Sequence, residues 1–596
     1  MKKKLEIRFK ELSEILLDEL NDDGFWTGQL SSSALGVAVA VAALHFDNPQ
    51  ENQTEIHQGY NWLKNNINAD GSFGDTPESL GNISTSLLVY AALNLYSEKD
   101  ASLKNLQTKI AVYLQQNNID IHSGNVADTI LAHYKTDYTF SVPILTMCAL
   151  CGIPEHDGFK KIPQLPFELA LLPQKFYRLL NLSVVSYAIP ALIAVGIVIF
   201  EKKQSGRFAR WVRNRAKRKA LKMLQKSLPS SGGFLEAIPL TAFVSLSLIN
   251  AGYKNSEVIE KGIKFLKQTQ RVDGGWPIDI DLSTWVSTLS IKALGTKKDE
   301  VLGRQQQNRL TQHLRSVQNK IVHPFNGTLP GGWGWTNYSG SVPDGDDTPG
   351  AMLALLLLQS PGDIKNEVLA GANWLIKLQN SDGGFPTFSK GWGKLPFDRS
   401  CADLTGHCFL ALAKVLHTFR NEISSAQIKM LSRSLKKASC YLQKHQQKNG
   451  SWLPLWFGNQ LTKKHENPVY GTARVLTYFD DALPYLINTP DLLEIVKSLI
   501  TKGEEFLLEV QNKDGSWGGD AAIPGTTEET ALAVSALSNK SYDEACKRGL
   551  HWLDSSFITN GLKAAPIGLY FASLWYDEKM YPLTAYLDAV NRNLKN

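Results

Sequence analysis

The chain has 596 residues, of which 43% are hydrophobic, 20% charged and 10% aromatic. These values exclude a disordered or fibrous protein and allow several domains, each with its own core. Six cysteines in so long a chain argue against a secreted protein held by disulfides and favour a reducing, cytoplasmic compartment.

The first unusual element along the chain is an apolar segment followed by a basic one. Residues 181–200 carry no charged side chain, and about 20 apolar residues suffice to cross a bilayer. Residues 201–226 contain eleven Lys or Arg and one acid, although the net charge of the chain is only +6. We therefore expect membrane lipid to bind through 181–200 and 202–226. A spanning helix, a helix that dips into one leaflet and a buried core helix with a solvated basic face all remain open.

One sequence unit recurs along the whole chain. An aromatic residue on a helix is followed by Gln or Asn, then Asp-Gly or Asn-Gly, a small residue and a second aromatic. The five clear copies occupy residues 62–73, 265–276, 374–385, 441–452 and 506–517, and degenerate copies occupy 22–26, 232–234 and 331–333. Such self-similarity is typical of repeat proteins built from stacked helix pairs.

Apolar stretches with Ser, Thr or Asp at or near their start follow several of these turns. They lie at 84–93, 286–294, 347–358 and 527–537. We predict that their hydroxyl residues cap helix N-termini, and that the small and aliphatic residues beyond form helices buried on most sides. Almost no segment alternates with a period of two, so the sequence predicts an all-α protein of paired inner and outer helices, tied together by the Gln and Trp of the repeat.

The acidic segment 343–349 is the most unusual short motif. Asp344, Asp346 and Asp347 place three carboxylates within four residues, where they repel one another. The Thr-Pro pair that follows is typical of a helix start, which would put these carboxylates beside a helix N-terminus. One carboxyl could be held protonated by its neighbours and then give up its proton. A calcium or magnesium loop and a solvated acidic turn are the alternatives.

A histidine with a nearby carboxylate lies further along the chain. Asp403 and His407 are four residues apart, so on a helix the carboxylate can orient the imidazole. Cys401 and Cys408 flank them, but no paired-cysteine spacing supports zinc, and the lone CxxC at 148–151 is predicted to pack in the core. The sequence contains no GxxxxGK[ST], GxGxxG, HExxH or GxSxG motif. We expect no metal and no cofactor.

The repeats resemble the QW motifs of the squalene-hopene cyclase family of class II terpene cyclases, and Asp344-Gly345-Asp346-Asp347 is similar to that family's DxDD acid motif. The resemblance covers essentially the whole chain. It implies two (α/α) barrels: one formed by 1–28 with 281–596, and one inserted at 29–280. It also implies a monotopic protein on the cytoplasmic face of the membrane that starts the cyclisation of a linear polyprene by protonation.

The resemblance implies roles for the acidic residues and the histidine. Asp346 matches the proton donor, and Asp344 and Asp347 match its flanking partners. His407 matches the histidine that hydrogen-bonds the acid, and Asp403 matches the carboxylate beside that histidine.

Aromatic residues of a substrate pocket are implied in the same way. Tyr470 matches a tyrosine near the acid, and four further residues match the pocket wall: Trp285, Trp335, Trp456 and Tyr570. Aromatic faces stabilise a carbocation and keep it from water. The chain departs from the family at two positions. Pro239 stands at or next to the position where the family has a pocket tryptophan, and Ser573 replaces a tyrosine.

The substrate is less constrained than the reaction. We expect squalene first, with longer isoprenoids, prenylated aromatics and prenyl diphosphates as alternatives. A non-catalytic lipid-binding toroid and a zinc-dependent prenyltransferase are alternatives of a different class, because a fold does not fix a function. No nucleic acid partner is expected, and a homodimer is one expected assembly.

Overall fold

The computed structural model describes residues 2–122, 125–134, 137–180, 182, 185–203, 206–538, 542–569 and 574–594. The helices of the first half are α1 (Lys2–Asp18), α2 (Ala34–Asp47), α3 (Gln53–Asn65), α4 (Ile83–Asn94), α5 (Ala101–Gln116), α6 (Asn125–Tyr134), α7 (Tyr138–Leu150), α8 (Gln174–Leu179), α9 (Val185–Lys202), α10 (Arg207–Lys226), α11 (Ile238–Asn250) and α12 (Glu257–Thr269).

The second half continues with α13 (Ser283–Leu294), α14 (Lys298–Val301), α15 (Arg304–Val317), α16 (Asp347–Leu358), α17 (Pro361–Leu378), α18 (Ala402–Phe419), α19 (Ser425–His445), α20 (Pro468–Ala482), α21 (Pro490–Glu509), α22 (Thr527–Leu537), α23 (Asp543–Asn560) and α24 (Met580–Leu594). A short antiparallel pair, β1 (Ile567–Leu569) and β2 (Leu574–Tyr576), precedes α24. Helices thus dominate the described residues, and the all-α prediction is confirmed.

Six helices of the C-terminal half close into a ring, which we call the acid barrel. α13 packs on α16, and the contacts continue through α18, α20, α22 and α24 back to α13. Outside this ring lie α15, α17, α19, α21 and α23, and the N-terminal helix α1 packs on α24. Leu12 and Leu16 of α1 therefore belong to the same hydrophobic core as the C-terminal half.

Five helices of the first half close into a second ring, which we call the inserted barrel. α2, α4, α7, α9 and α11 pack on one another in that order, and α11 returns to α2. The outer layer consists of α3, α5, α6, α10 and α12. Inner helices such as α2 are built almost wholly of small and aliphatic residues because both of their sides are buried.

Five repeat glutamines connect one outer helix to the next. The Gln446 side chain follows α19 and donates to the Gly450 carbonyl at 2.9 Å and to the Leu499 carbonyl of α21 at 3.0 Å. The Trp452 indole N–H donates back to the Leu442 carbonyl of α19 at 2.9 Å. The same pair of hydrogen bonds from one glutamine amide recurs at Gln270, Gln318, Gln379 and Gln511.

Hydroxyl residues cap some inner helices, as Ser33 does for α2 and Thr526 for α22, but those inside the helices have a different role from the one predicted. α4 is capped by Asn82, and Ser86 lies inside the helix, where its hydroxyl accepts from the Phe73 N–H at 2.9 Å. Thr530 of α22 accepts from the Trp517 N–H at 3.0 Å in the same way. The hydroxyl accepts from the backbone N–H of the repeat aromatic and not from the first N–H groups of its own helix. The N–H of the aromatic residue is buried beside the inner helix and needs a hydrogen-bond acceptor.

Helix α9 contains most of the apolar segment. By length and composition Val185–Lys202 could cross a membrane, but 72% of it is buried inside the protein. It packs against α7 and α11 as an inner helix of the inserted barrel. The burial accounts for its apolar composition, which favours the core-helix alternative. Among the segments that pack on this helix, residues 169–180 and α10 carry exposed apolar side chains.

Gly515→Ala should destabilise the acid barrel by about 2 kcal/mol or more. Gly515 has φ of +94°, and a Cβ there would lie 2.7 Å from the Arg548 carbonyl oxygen, which is backbone and cannot move aside. Gly252 has φ of +90° with open space around its Cβ position. Gly252→Ala should therefore show only the conformational cost of about 1–2 kcal/mol. Thermal unfolding of both variants tests this, and equal shifts would contradict the packing argument.

Candidate active site

The turn 344–347, which starts α16, is called the acid turn. The Asp344 carboxylate caps the helix, because its Oδ1 accepts from the backbone N–H groups of Asp346 and Asp347, both at 2.8 Å. Asp346 occupies the N-cap position, yet its side chain makes no capping bond and turns towards α18. Its side chain is 19% exposed, whereas Asp344 and Asp347 are buried. Asp346 is the accessible carboxyl of the three.

Asp346 forms a short hydrogen bond with His407 on α18. The Oδ1 and Nδ1 atoms are 2.6 Å apart. Tyr478 of α20 stacks on the imidazole with the ring centroids 4.5 Å apart and the planes at 6°, and the Trp285 ring meets it edge-on at 6.1 Å. Burial lowers the pKa of His407, although the bond to Asp346 partly opposes this. A neutral imidazole that donates its Nδ1–H to Oδ1 leaves Oδ2 of Asp346 to carry an acid proton.

Asp344 and Asp347 form a coupled pair behind the reactive carboxyl. Burial raises the pKa of both side chains, most strongly that of Asp347. Asp344 Oδ2 and Asp347 Oδ1 are buried, and the pair is joined by a side-chain hydrogen bond when one of them is protonated. The turn therefore holds less negative charge than three ionised carboxylates would give.

Asp403 does not orient the imidazole as its spacing suggested. It lies buried in the first turn of α18, where its side chain pairs with the thiol of Cys401. Burial and the nearby charge of Asp346 raise the pKa of Asp403 to about 6. Within the described part of the chain, no hydrogen bond joins Asp403 to His407, because the imidazole Nδ1 is already bound to Asp346.

The predicted pocket aromatics fall into two groups. Trp285 and Tyr470 lie beside His407 and Arg474 in the acid barrel. Trp335 and Trp456 both pack against Phe388, with ring centroids 5.8 Å apart in each case. The two remaining positions singled out in the sequence, Tyr570 and Ser573, lie outside the described residues.

Phe388 is the centre of an aromatic cluster between the barrels. Tyr187 from α9 of the inserted barrel stacks on it at 5.0 Å, and Phe397 meets it edge-on at 5.3 Å. Trp335 and Trp456 complete the cluster from the acid barrel. The structure thus places five aromatic rings between the two barrels, of which sequence reasoning named two.

Sequence reasoning also missed Arg474 and Tyr478. Both lie on α20 at four-residue spacing from Tyr470, so the three side chains share one face of the helix. The Arg474 Nε donates to the Tyr470 hydroxyl at 3.1 Å, and its Nη1 lies 3.5 Å from the Tyr478 hydroxyl. The regular spacing was the available signal, but an arginine inside a barrel is not expected from composition.

A small cavity of about 40 Å³ lies inside the acid barrel. Its wall comes from α13, α20, α22 and α24, together with Ile567 of β1. Tyr470, Arg474 and Lys292 face it, so the interior of the ring is partly polar.

Two family models match this chain. The squalene-hopene cyclase C-terminal domain matches residues 282–565, and the squalene-hopene cyclase N-terminal domain matches residues 9–111.

Individual relatives are distant. The chain is 25% identical over 651 residues to the enfumafungin synthase of Hormonema carpetanum, across 93% of this chain and 45% of the fungal protein, so it spans less than half the length of that relative. It is 23% identical over 621 residues to the squalene hopane cyclase of Aspergillus fumigatus, across 90% of this chain and 82% of that protein. The structure of ent-copalyl diphosphate synthase from Streptomyces platensis has a TM-score of 0.61 at 16% identity and covers 99% of both chains, which shows a shared fold.

Asp346→Asn should lower the pKa of His407. The hydrogen bond to Asp346 and its charge both raise that pKa, so their loss leaves burial and the charges of Arg474 and Lys292 to depress it. Histidine NMR over a pH series measures the change, and His407→Gln assigns the signal. Asp363→Asn, in the exposed first turn of α17, is the matched control. An unchanged His407 titration in Asp346→Asn would mean that the pair is not bonded in solution.

Proposed function

This chain belongs to the squalene-hopene cyclase family, and we propose that it is a class II terpene cyclase that protonates a terminal alkene of a linear polyprene. The observation that carries this proposal is the Asp346–His407 pair, a partly accessible carboxyl bound at 2.6 Å to a buried imidazole. A carboxyl in such a setting is a Brønsted acid whose conjugate base is already provided with a hydrogen-bond donor.

The proposed reaction begins at Oδ2 of Asp346. Its proton adds to the terminal double bond, whose π electrons form the new C–H bond and leave a tertiary carbocation. Neighbouring double bonds then attack the cation in turn, and each attack forms a C–C bond. Loss of a proton from the last cation gives an isomer, and capture of water gives a hydrate. The Asp346 carboxylate left behind accepts the N–H of His407 until it is protonated again.

The aromatic cluster supports the later steps. Carbocations are stabilised by the electron-rich faces of aromatic rings and are destroyed by water, so a dry aromatic cavity suits polycyclisation. Trp335, Phe388 and Trp456 supply such faces between the barrels, and Trp285 lies beside the acid pair.

Squalene is the proposed substrate. The family and the relative named as a squalene hopane cyclase support it. The apolar, aromatic surroundings of the cluster suit an uncharged hydrocarbon. Longer isoprenoids, prenylated aromatics and prenyl diphosphates are the competing substrates, and the likeness to a diphosphate cyclase concerns the fold alone.

We further propose that the protein binds membrane lipid at the cytoplasmic face through α10 and residues 169–180. Leu179, Phe208 and Trp211 are 80%, 79% and 56% exposed. Phe208 stacks near Trp211, and the Arg215 guanidinium lies 4.5 Å above the Trp211 ring. Exposed aromatics on a basic helix are typical of proteins that insert side chains between anionic headgroups. Homodimer formation stays a prediction.

Asp346→Asn should reduce cyclisation by about 10²–10⁴-fold or more, because an amide has no acid proton to give. Detergent-solubilised enzyme is incubated with squalene, without metal or diphosphate, and the extract is analysed by gas chromatography with mass detection. Wild type and Asp363→Asn should form a cyclic isomer or hydrate. If Asp346→Asn formed as much product as wild type, Asp346 would not be the proton donor.

Replacing both Phe208 and Trp211 by Ser should weaken binding to anionic vesicles by about tenfold or more, since burying one large apolar side chain contributes about 1.5–3 kcal/mol. Binding of the wild type should also fall with added salt. Vesicle sedimentation measures both effects. Ile558→Ser is the matched control, because Ile558 is 73% exposed on α23 of the other barrel. Equal losses in the two proteins would exclude α10 as the lipid-binding surface.

A further inference from the structure

Arg474 is a buried cation without a carboxylate partner among the described residues. It lies on α20 inside the acid barrel, and its two hydrogen-bond partners are the phenol hydroxyls of Tyr470 and Tyr478. Two other cations of this ring are paired. Lys292 lies 3.3 Å from Asp588, and Arg592 binds Asp588 at 3.1 Å and Asp481 at 2.7 Å. A buried arginine with neutral partners is costly, so its charge is expected to serve another group.

A continuous set of contacts connects Arg474 to the acid. Its Nη1 lies 3.5 Å from the Tyr478 hydroxyl, and the Tyr478 ring stacks on His407 at 4.5 Å with nearly parallel planes. His407 in turn holds Asp346 at 2.6 Å. The guanidinium is therefore one stacked ring away from the pair that carries the proposed proton.

We propose that Arg474 is a positioning residue for the acid, whose permanent charge stabilises the Asp346 carboxylate left after proton transfer and disfavours protonation of His407. The inference rests on the proposed function and adds to it the residue that sets the charge state of the pair. Proton transfer from Asp346 to His407 would leave a buried ion pair with no proton for the substrate. A fixed cation one ring away from the imidazole opposes this proton transfer, because it repels the imidazolium.

The electrostatics of the surrounding groups agree with this role. Burial is the largest cause that lowers the pKa of His407, and the charges of Arg474 and Lys292 lower it further. Burial lowers the pKa of Arg474, but Tyr470, Tyr478 and Asp346 together raise it by more, so the guanidinium stays charged. The titratable and charged groups that face the pair are Asp344 and Asp347 on the acid turn, Cys401, Asp403 and Cys408 at α18, Tyr470, Arg474 and Tyr478 on α20, Lys292 on α13 and Tyr576 on β2.

A cation this close to a carbocation pathway must be kept from the migrating charge. The guanidinium carbon lies 5.2 Å from the Tyr470 ring centroid and 5.8 Å from that of Trp285. Both rings therefore present one face to Arg474, and the electron-rich faces offset part of its positive field. Arg474 also faces the cavity inside the acid barrel.

The test compares Arg474→Gln, which removes the charge, with Arg474→Lys, which keeps it. Arg8→Gln is the control for loss of a largely buried guanidinium, since Arg8 pairs with Asp554 at the outer surface of the barrel. Thermal unfolding first establishes that each variant is folded. Two readouts follow: kcat and KM with squalene, and the NMR titration of His407, which needs no substrate.

We expect Arg474→Gln to lower kcat by about 10- to 100-fold with little change in KM, below the effect of removing a direct oxyanion donor. It should also raise the pKa of His407, because the imidazolium is no longer repelled. Arg474→Lys should stay close to wild type in both readouts, and Arg8→Gln should leave the pKa of His407 unchanged.

Two results would overturn the inference. The first is a His407 titration in Arg474→Gln that equals that of wild type. The second is a loss of kcat in Arg474→Lys as large as in Arg474→Gln, which would indicate that the shape of the side chain matters and its charge does not. Failure of the proposed function would look different. If wild type forms no product from squalene, the proposed substrate fails, and the His407 titration still decides the role of Arg474.

Discussion

The 2.6 Å bond between Asp346 and His407 is the contact on which the proposed chemistry depends. A carboxylic acid that protonates an alkene must keep its proton until the substrate arrives and must then leave a stable carboxylate. In bulk water, retention of the proton and stability of the carboxylate are conflicting requirements. In this protein the bond joins the start of α16 to α18, so the acid pair forms only when these neighbouring inner helices of the ring are packed together.

Closure of the ring depends in turn on the repeat. Each glutamine donates to the backbone of its own turn and of the next outer helix, and the tryptophan returns a bond to the helix before it. The hydroxyl of the next inner helix satisfies the N–H of the aromatic, as Thr348 does for Trp333 on α16 itself. The residue beside the acid turn is therefore part of the structural repeat, which links barrel assembly to the position of Asp346.

Charge inside the acid barrel is unusual for a cavity next to carbocation chemistry. Lys292, Asp588, Arg592 and Asp481 neutralise one another at one end of the ring. Arg474 instead donates to the phenols of Tyr470 and Tyr478, and the Tyr478 ring stacks on His407 of the acid pair. The aromatic cluster between the barrels is separate from these charges and takes Tyr187 from α9. The apolar helix therefore has a structural role in the inserted barrel and a direct contact with the proposed reaction space.

The sequence by itself determined the helical class and the repeat, because helix-forming stretches and the glycine turns between them depend on neighbouring residues alone. It also singled out Asp346 and His407, since clustered carboxylates and a histidine are visible as residue types. Only the tertiary structure decided which groups meet. Asp403 binds Cys401 instead of the imidazole, α9 is an inner helix, and the neighbours of the acid are Arg474 and Tyr478. Apart from the local Asp403–Cys401 pair, these partners come from different helices, and their contacts arise from the packing of a ring that no local pattern records.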